Sequence, residues 1–348
     1  MRIHLPAPVP HRDVTNDWAP CAYTGKTLRL ATMLAGLGHD VYLYGGSRCD
    51  APCTEHVAVV TDDERGRWFG DTDWNETVFN EFDPAHPAWR TMNARIIAAI
   101  SERVEPRDII CLTMGSAQAP IAQAFNHVVC EPGVGYAGVV DATHRCYESH
   151  AWQHYLWGRD RVDDGRWFDT VIPNAYDPAD YQFGGGEGGY LLFMGRLTER
   201  KGLEVVRQLA RDHWVITAGP GDPLDGIEHL GVLRGEKKAE VLAGARALLS
   251  PSVYIEPFGG VAVEAMLSGT PVLASPFGAY PETVVHGMTG YLCHTLGEFR
   301  SAAHCLENLD RKTIREWALS RFTLEVCAPR YDRWLDRLAT LYDKGWYQ

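Results

Sequence analysis

Between residues 190 and 293, short apolar runs alternate with amphipathic stretches, and this alternation limits the possible folds more than any other feature of the chain. The runs fall at 190–194, 214–218, 247–250, 271–274 and 290–293, with a helix-like stretch at 202–211 after the first. Strand, helix and strand in repetition specify a parallel sheet covered by helices, because a crossover helix is what returns the chain to lay the next strand parallel. Runs at 2–5, 40–44, 56–60, 108–112, 127–130 and 170–172 repeat the theme in the first half. Two doubly wound α/β domains are therefore expected, and 348 residues suffice for two cores at roughly 100 to 200 residues per domain. Between the halves, Phe183 is followed by five glycines in six positions, 184–189. Such a run holds no regular element and is expected to be a flexible connection. The expected division is an N-terminal domain over 1–175, a linker over 176–189, a C-terminal domain over 190–325 and a last helix over 326–348. Tyr331, Trp334, Leu335, Leu338 and Leu341, at spacings of three and four, mark the apolar face of that helix. Residues 23–37 also read as a helix, and 61–95, rich in Trp, Asp and Pro, as an irregular insertion that overhangs a site.

Composition removes several classes of function. With 45% hydrophobic and 22% charged residues, disordered, collagen-like and coiled-coil chains are out. No apolar run approaches the ~18 residues of a membrane span. Met1 to Leu5 run straight into Pro6, Pro8 and Pro10, without the apolar stretch of a secretory signal, so a cytoplasmic protein without an integral membrane segment is expected. A formal charge of −12 opposes non-specific binding to nucleic acid or anionic membrane. Of nine cysteines, only Cys49 and Cys53 are close, without a second Cys or His pair at zinc spacing, so reduced thiols are expected.

Two stretches carry chemistry. Residues 191–202, LLFMGRLTERKG, run from a buried strand through a loop to a helix start. Ligands of open α/β sheets bind at the carboxyl ends of strands, where Arg196 and Lys201 could clamp a diphosphate; the alternative is a solvated basic turn. Residues 250–269 place Glu256 on a loop after a strand and Glu264 inside a helix of otherwise small or apolar residues. A lone carboxylate in such a helix needs a polar partner, either a ligand such as a ribose diol or a neighbouring loop that it caps. Gly259 and Gly260 let bare backbone N–H groups approach a ligand.

These residues carry a resemblance. Residues 195–202 resemble the G-R-x4-K-G signature, and Glu256 to Glu264 the E-x7-E signature, of family 4 of the retaining glycosyltransferases with the GT-B fold. Further matches are Val171-Ile172-Pro173-Asn174, Gly219-Pro220-Gly221, Gly269-Thr270-Pro271-Val272, Gly278, Glu282, Gly287 and Gly290-Tyr291-Leu292, so the resemblance covers about 170–295. It implies two Rossmann-like domains facing across a cleft and a nucleoside-diphosphate sugar as donor substrate, with neither metal nor other cofactor. Gly195, Arg196, Lys201 and Gly219 would hold the diphosphate region and Glu264 the ribose. Glu256, with the Phe258–Gly260 backbone, would lie near the donor sugar. The acceptor, which the resemblance does not name, would sit on the N-terminal domain, to which the last helix crosses back. A nucleotide-sugar epimerase or hydrolase on the same fold, or a sugar-nucleotide-binding protein without turnover, are the alternatives.

The N-terminal half departs from the family pattern. Members often place a catalytic histidine after an N-domain strand, where this chain has Glu131 before Pro132 and Gly133. At the cleft edge this carboxylate could orient the acceptor, stabilise a cationic sugar ring or act as a nucleophile; a turn cap is the alternative. The stretch 131–155 resembles a small bacterial and phage branch of the family. Thr24-Gly25-Lys26-Thr27 is no P-loop, because the first glycine of that motif would fall at Pro20. Gly25 could still face the donor phosphates. Asp71-Thr72-Asp73 matches a metal-binding D-x-D but sits in the irregular stretch, which reads as a chance match. His150 and His154 have the spacing of zinc ligands without a third, and Trp152, Tyr155 and Leu156 read as core.

Overall fold

The computed structural model describes residues 1–19, 21–74, 85–141 and 143–345. Pro20, residues 75–84 of the expected insertion and the last three residues of the expected final helix lie outside them. The first domain is a seven-stranded parallel sheet built from β1 (Arg2–Pro6), β2 (Asp40–Gly45), β3 (Glu55–Ala58), β4 (Ile109–Cys111), β5 (Val128–Val134), β6 (His144–Tyr147) and β7 (Thr170–Val171). Its strand order is β3-β2-β1-β4-β5-β6-β7. The second sheet contains β8 (Leu191–Met194), β9 (Val215–Ala218), β10 (Glu228–His229), β11 (Ala247–Ser250), β12 (Val272–Ala274) and β13 (Gly290–Leu292) in the order β10-β9-β8-β11-β12-β13. Both are doubly wound, as the alternation of runs requires, and each has a crevice where the order reverses, between β1 and β4 and between β8 and β11.

The central strands are continuous apolar runs because helices cover both faces of each sheet. Leu191, Leu192, Leu248, Val272 and Leu273 are fully buried in one core, and Ile3, Leu5, Val41, Leu43, Ile109 and Ile110 in the other. Sequence reading missed β6 and β10. The run His144-Arg145-Cys146-Tyr147 carries charge, and two-residue β10 has no apolar signal. It also took 61–95 for irregular chain, whereas a helix spans Asp62–Phe69 and another opens at Pro87. Thr61 and Glu64 form a reciprocal capping box, and Pro87 takes the first helical turn, where its missing N–H costs nothing.

The glycine-rich segment is not a loose connection. Gly184 N–H donates to Ser268 O, Gly186 N–H to Ala243 O and Gly188 N–H to Gly244 O, so the segment lies along the C-terminal domain. The glycines serve close approach rather than freedom: a Cβ on Gly184 would fall 2.5 Å from Ala243 O. Arg311 ties the segment down through Gly184 O (2.6 Å), Ala243 O (3.1 Å), Ala245 O (3.1 Å) and Thr270 Oγ1 (2.6 Å). The chain crosses between domains at Ala175–Tyr176, since Ala175 belongs to the first core and Tyr176 to the second. It returns at Phe322–Leu324, and the two crossings pair through Tyr176 N–H to Phe322 O (2.8 Å) and Leu324 N–H to Tyr176 O (3.1 Å). The helix Leu324–Ala339 then buries Cys327, Tyr331, Trp334, Leu335 and Leu338 in the N-terminal core. Leu341, assigned to the same face, lies past its end.

Replacing Arg311 by Met removes a donor from three carbonyls and the Thr270 hydroxyl, which should lower unfolding stability by about 3 kcal/mol, measured by denaturant titration. Unchanged stability would mean that the guanidinium contributes no net energy to anchoring the segment.

Candidate functional site

The site is built at the carboxyl ends of β8, β9 and β11. After β8, Gly195 and the loop that follows lie against Gly219 after β9: a Cβ on Gly219 would fall 2.1 Å from Gly195 O, and Leu197 N–H donates to Pro220 O. This close packing projects Arg196 outward. Its side chain is exposed and donates no hydrogen bond to a described residue. Lys201 ends a short 3-10 turn and donates to Glu256 Oε2 at 2.8 Å, while Ser252 Oγ donates to the same oxygen at 3.1 Å. Lys201 also lies 5.2 Å from the centre of the Tyr254 ring. The two signatures, 55 residues apart, thus meet through one half-buried ion pair.

The helix Gly260–Leu267 follows Gly259, whose φ of 75° admits glycine readily. A Cβ there would strike the Tyr280 ring at 2.6 Å, and one on Gly260 the Tyr176 hydroxyl at 2.4 Å. The backbone N–H groups of Gly259, Gly260 and Val261 donate to no described residue, which leaves the positive end of the helix free. The Phe258 side chain turns into the core, so only its backbone borders this opening. Glu264 does have a protein partner: Lys238 Nζ donates to its Oε1 at 2.6 Å and the Tyr181 hydroxyl to the same atom at 3.3 Å. Sequence reasoning missed Lys238. Adjacent Lys237 pairs outward with Glu240, and nothing in the local pattern separates the two lysines.

On the N-terminal side two expectations change. Gly25 lies in the first turn of the helix Ala22–Gly36, but its open face is covered: a Cβ there would meet Ala19 O at 2.3 Å. The neighbouring Lys26 projects instead, donating to Gly133 O at 2.8 Å and pairing with Glu148. Glu131 does not reach the cleft edge. It is fully buried, with Oε1 accepting from the Tyr136 hydroxyl (3.1 Å) and Oε2 from Val140 N–H (3.1 Å) and the Thr143 hydroxyl (2.7 Å), and with Arg145 Nε 3.5 Å away. Burial pushes its carboxyl above the usual range, against the pull of these donors. Its carboxylate ties Tyr136, Val140 and Thr143 to β5, which is the capping alternative. The sequence reading ended the strand at Cys130, whereas β5 runs on through Glu131 to Val134, so the residue lies within the strand and not after it.

The two domains touch beside the site. Ser149 Oγ donates to Pro257 O at 2.6 Å, and Glu282 accepts from His150 N–H (2.9 Å) and Ala151 N–H (2.7 Å). Glu282 thereby caps the helix His150–Asp160 from the other domain, with its charge at the favourable end of the dipole. Trp152 and Leu156 on this helix are buried, as expected, whereas Tyr155 is 42% exposed and stacks on Trp152. His150 and His154 are exposed, with ring centres 6.3 Å apart. Asp71 and Asp73 are also exposed and follow a helix rather than a strand. Among the described residues, no three His, Cys, Asp or Glu side chains converge to hold a metal ion. All nine cysteines are free, and no described helix is long and apolar enough to cross a membrane.

The architecture has close counterparts. Sucrose-phosphate synthase from Thermosynechococcus elongatus superposes with a TM-score of 0.71 at 18% identity, covering 98% of this chain and 100% of that one. HepE from Anabaena in complex with UDP and glucose gives 0.68 at 17% identity, covering 97% and 99%. The protein therefore has the GT-B fold of two Rossmann-like domains. Residues 188–309 match the family described as Glycosyl transferases group 1, so the C-terminal domain carries the group 1 glycosyltransferase pattern. Among curated relatives, the phosphatidyl-myo-inositol mannosyltransferase of Mycolicibacterium smegmatis is 26% identical over 358 residues, 90% of this chain and 87% of that protein. An uncharacterised glycosyltransferase of Methanocaldococcus jannaschii is 36% identical in an alignment of 119 positions that covers 29% of this chain and 30% of that protein. The chain thus matches most of the length of the mannosyltransferase and about a third of the length of the archaeal glycosyltransferase.

Glu131→Gln replaces an oxygen acceptor with a donor opposite donors. It should lower the melting temperature by several degrees, with nucleoside diphosphate affinity retained, as read by thermal denaturation and titration calorimetry. Wild-type stability would show that the enclosed carboxylate is not what holds the loop.

Proposed function

We propose that the protein is a family 4, retaining glycosyltransferase that acts in the cytoplasm on a nucleoside-diphosphate sugar and an acceptor hydroxyl, without a metal ion. The observation that carries this reading is the convergence of unpaired Arg196, the Lys201–Glu256 pair and the free N–H groups of Gly259 to Val261 at the carboxyl ends of one sheet. An arrangement of two cations and a helix N-terminus suits two phosphate groups in series. The UDP bound by HepE accords with a donor of this kind. Glu264, 14% exposed through its side chain with Oε2 unoccupied by any described donor, suits a ribose diol.

In transfer, the bond from the anomeric carbon to the diphosphate oxygen breaks and a bond to the acceptor oxygen forms on the same face. The acceptor proton passes to the departing phosphate oxygen. Negative charge growing on the diphosphate meets Arg196 and Lys201, the second held before reaction by Glu256, so little reorganisation is needed there. Their two charges do the work for which another site would use a metal. Contact between Ser149 and Pro257 and between Glu282 and the helix His150–Asp160 closes the site edge and limits water.

Arg196→Ala is the clean test of the diphosphate contact, since Arg196 leaves no partner stranded, whereas Lys201→Ala would strand buried Glu256. It should weaken binding of UDP or GDP about tenfold or more, with uridine or guanosine binding nearly unchanged. Equal loss for nucleoside and diphosphate would remove Arg196 from the site. Glu264→Gln should instead weaken the nucleoside itself.

Activity on the matching donor should survive excess EDTA. Loss on chelation with recovery on adding Mn²⁺ or Mg²⁺ would overturn the metal-independent reading and return attention to Asp71 and Asp73.

A further inference from the structure

One carboxylate on the N-terminal wall of the cleft has no task in the transfer scheme above. Glu148 directly follows β6, at the edge of the sheet where ligands of parallel sheets bind. Its side chain is 6% exposed and sits against Gly135, where a Cβ would fall 2.4 Å from the carboxyl carbon and from each oxygen. Oε1 pairs with Lys26, whose ammonium also donates to Gly133 O and lies over the Tyr23 and Tyr136 rings at 5.4 and 5.8 Å. Oε2 accepts from no described residue. Stability does not account for this pair, because a buried ion pair is commonly no better for the fold than apolar groups of the same shape.

The surroundings of Glu148 supply another reason. Its neighbour Ser149 is hydrogen-bonded to Pro257 O, so Glu148 is held beside the Glu256–Gly260 loop of the other domain. Glu148, Ser149 and Phe258 also line, with Glu282, Arg321 and Arg330, a cavity of about 530 Å³ beside this contact between the domains. Two tyrosines sense the same proximity. Burial, then Glu264 and Glu148, push the Tyr176 phenol up, and Tyr176 is the residue that abuts Gly260. Burial and Glu148 push the Tyr23 phenol up, while Arg196 acts in the opposite sense. Glu148 therefore lies within electrostatic reach of rings that also feel the donor-side residues Glu264 and Arg196.

We propose that Glu148, paired with Lys26 and seated on Gly135, orients the attacking hydroxyl in the cleft by accepting its hydrogen bond on Oε2. This is one of the tasks considered for Glu131, which the fold encloses. The inference rests on the glycosyl-transfer reading and deepens it. A carboxylate at that point selects a neutral hydroxyl, as of a sugar or other polyol, over a phosphate or carboxylate, which it would repel.

The test measures nucleoside diphosphate release from UDP-glucose and GDP-mannose with water as the attacking hydroxyl, beside UDP and GDP affinity and melting temperature. Glu148→Gln should lower kcat about tenfold or more, with diphosphate affinity within about twofold of wild type. Because Gln leaves Lys26 without its charge partner, the double variant Glu148→Gln, Lys26→Met carries the same expectation if the single variant folds poorly. A folded variant with wild-type kcat overturns the proposal, as does a parallel loss of diphosphate affinity, which would put Glu148 on the donor side. Wild-type protein that binds UDP or GDP yet releases neither from its donor leaves no hydroxyl for Glu148 to orient, and the proposal falls alone. Wild-type protein that binds neither diphosphate overturns the transfer reading and this inference together.

Discussion

Two hydrogen bonds, Tyr176 N–H to Phe322 O and Leu324 N–H to Tyr176 O, join the only chain crossings among the described residues, and the geometry of the cleft hangs on them. Each parallel sheet brings the carboxyl ends of its strands to one edge, but nothing within a sheet decides what that edge faces. Pairing of the crossings, with the helix Leu324–Ala339 docked on the N-terminal core, sets the edges opposite one another. Ser149, Pro257, Glu282 and the helix His150–Asp160 complete the contact from the far side of the cleft. A change in the angle at Tyr176 would move Lys26 and Glu148 relative to Lys201 and Glu256 as a body.

Three lysine–carboxylate pairs surround that cleft: Lys26–Glu148, Lys201–Glu256 and Lys238–Glu264. Their lysine side chains are 16–19% exposed and their carboxylates 6–14%. Charges withdrawn from water this far are retained because each has a partner, and each pair keeps further hydrogen-bonding capacity that a polar ligand can use. Arg196 stands apart as an exposed cation without a described partner, on a protein whose formal charge is −12. An anionic ligand is thus repelled by the molecule as a whole and drawn to one place on it, which favours selectivity over indiscriminate anion binding.

The differences between expectation and structure share a cause. A glycine run was read as freedom, yet in 184–189 the missing side chains let the backbone lie on Ala243 and Gly244, where Arg311 holds it. Glu264 was rightly read as a carboxylate in need of a partner, but the partner within the protein, Lys238, lies on another helix 26 residues away. In the stretch 61–95 the cues for a helix start were present as Thr61, Glu64 and Pro87, and were outweighed by the density of Trp, Asp and Pro around them.

The sequence by itself determined eleven of the thirteen strands, their parallel run, the two domains and the place of the Arg196–Lys201 loop and of Glu256 after strand ends. It could do so because burial on both faces of a parallel sheet demands uninterrupted apolar runs, and because a chain leaving such strands must place its next residues at the ligand edge. Only the tertiary structure decided which N-terminal carboxylate is sealed and which keeps an oxygen without a described donor. Glu131 lies within β5 and is closed over by Tyr136, Val140 and Thr143, whereas Glu148, just past β6, finds Lys26 across 122 residues of chain. Whether a charge is sealed or left available depends on partners that distant, and no spacing along the chain records them.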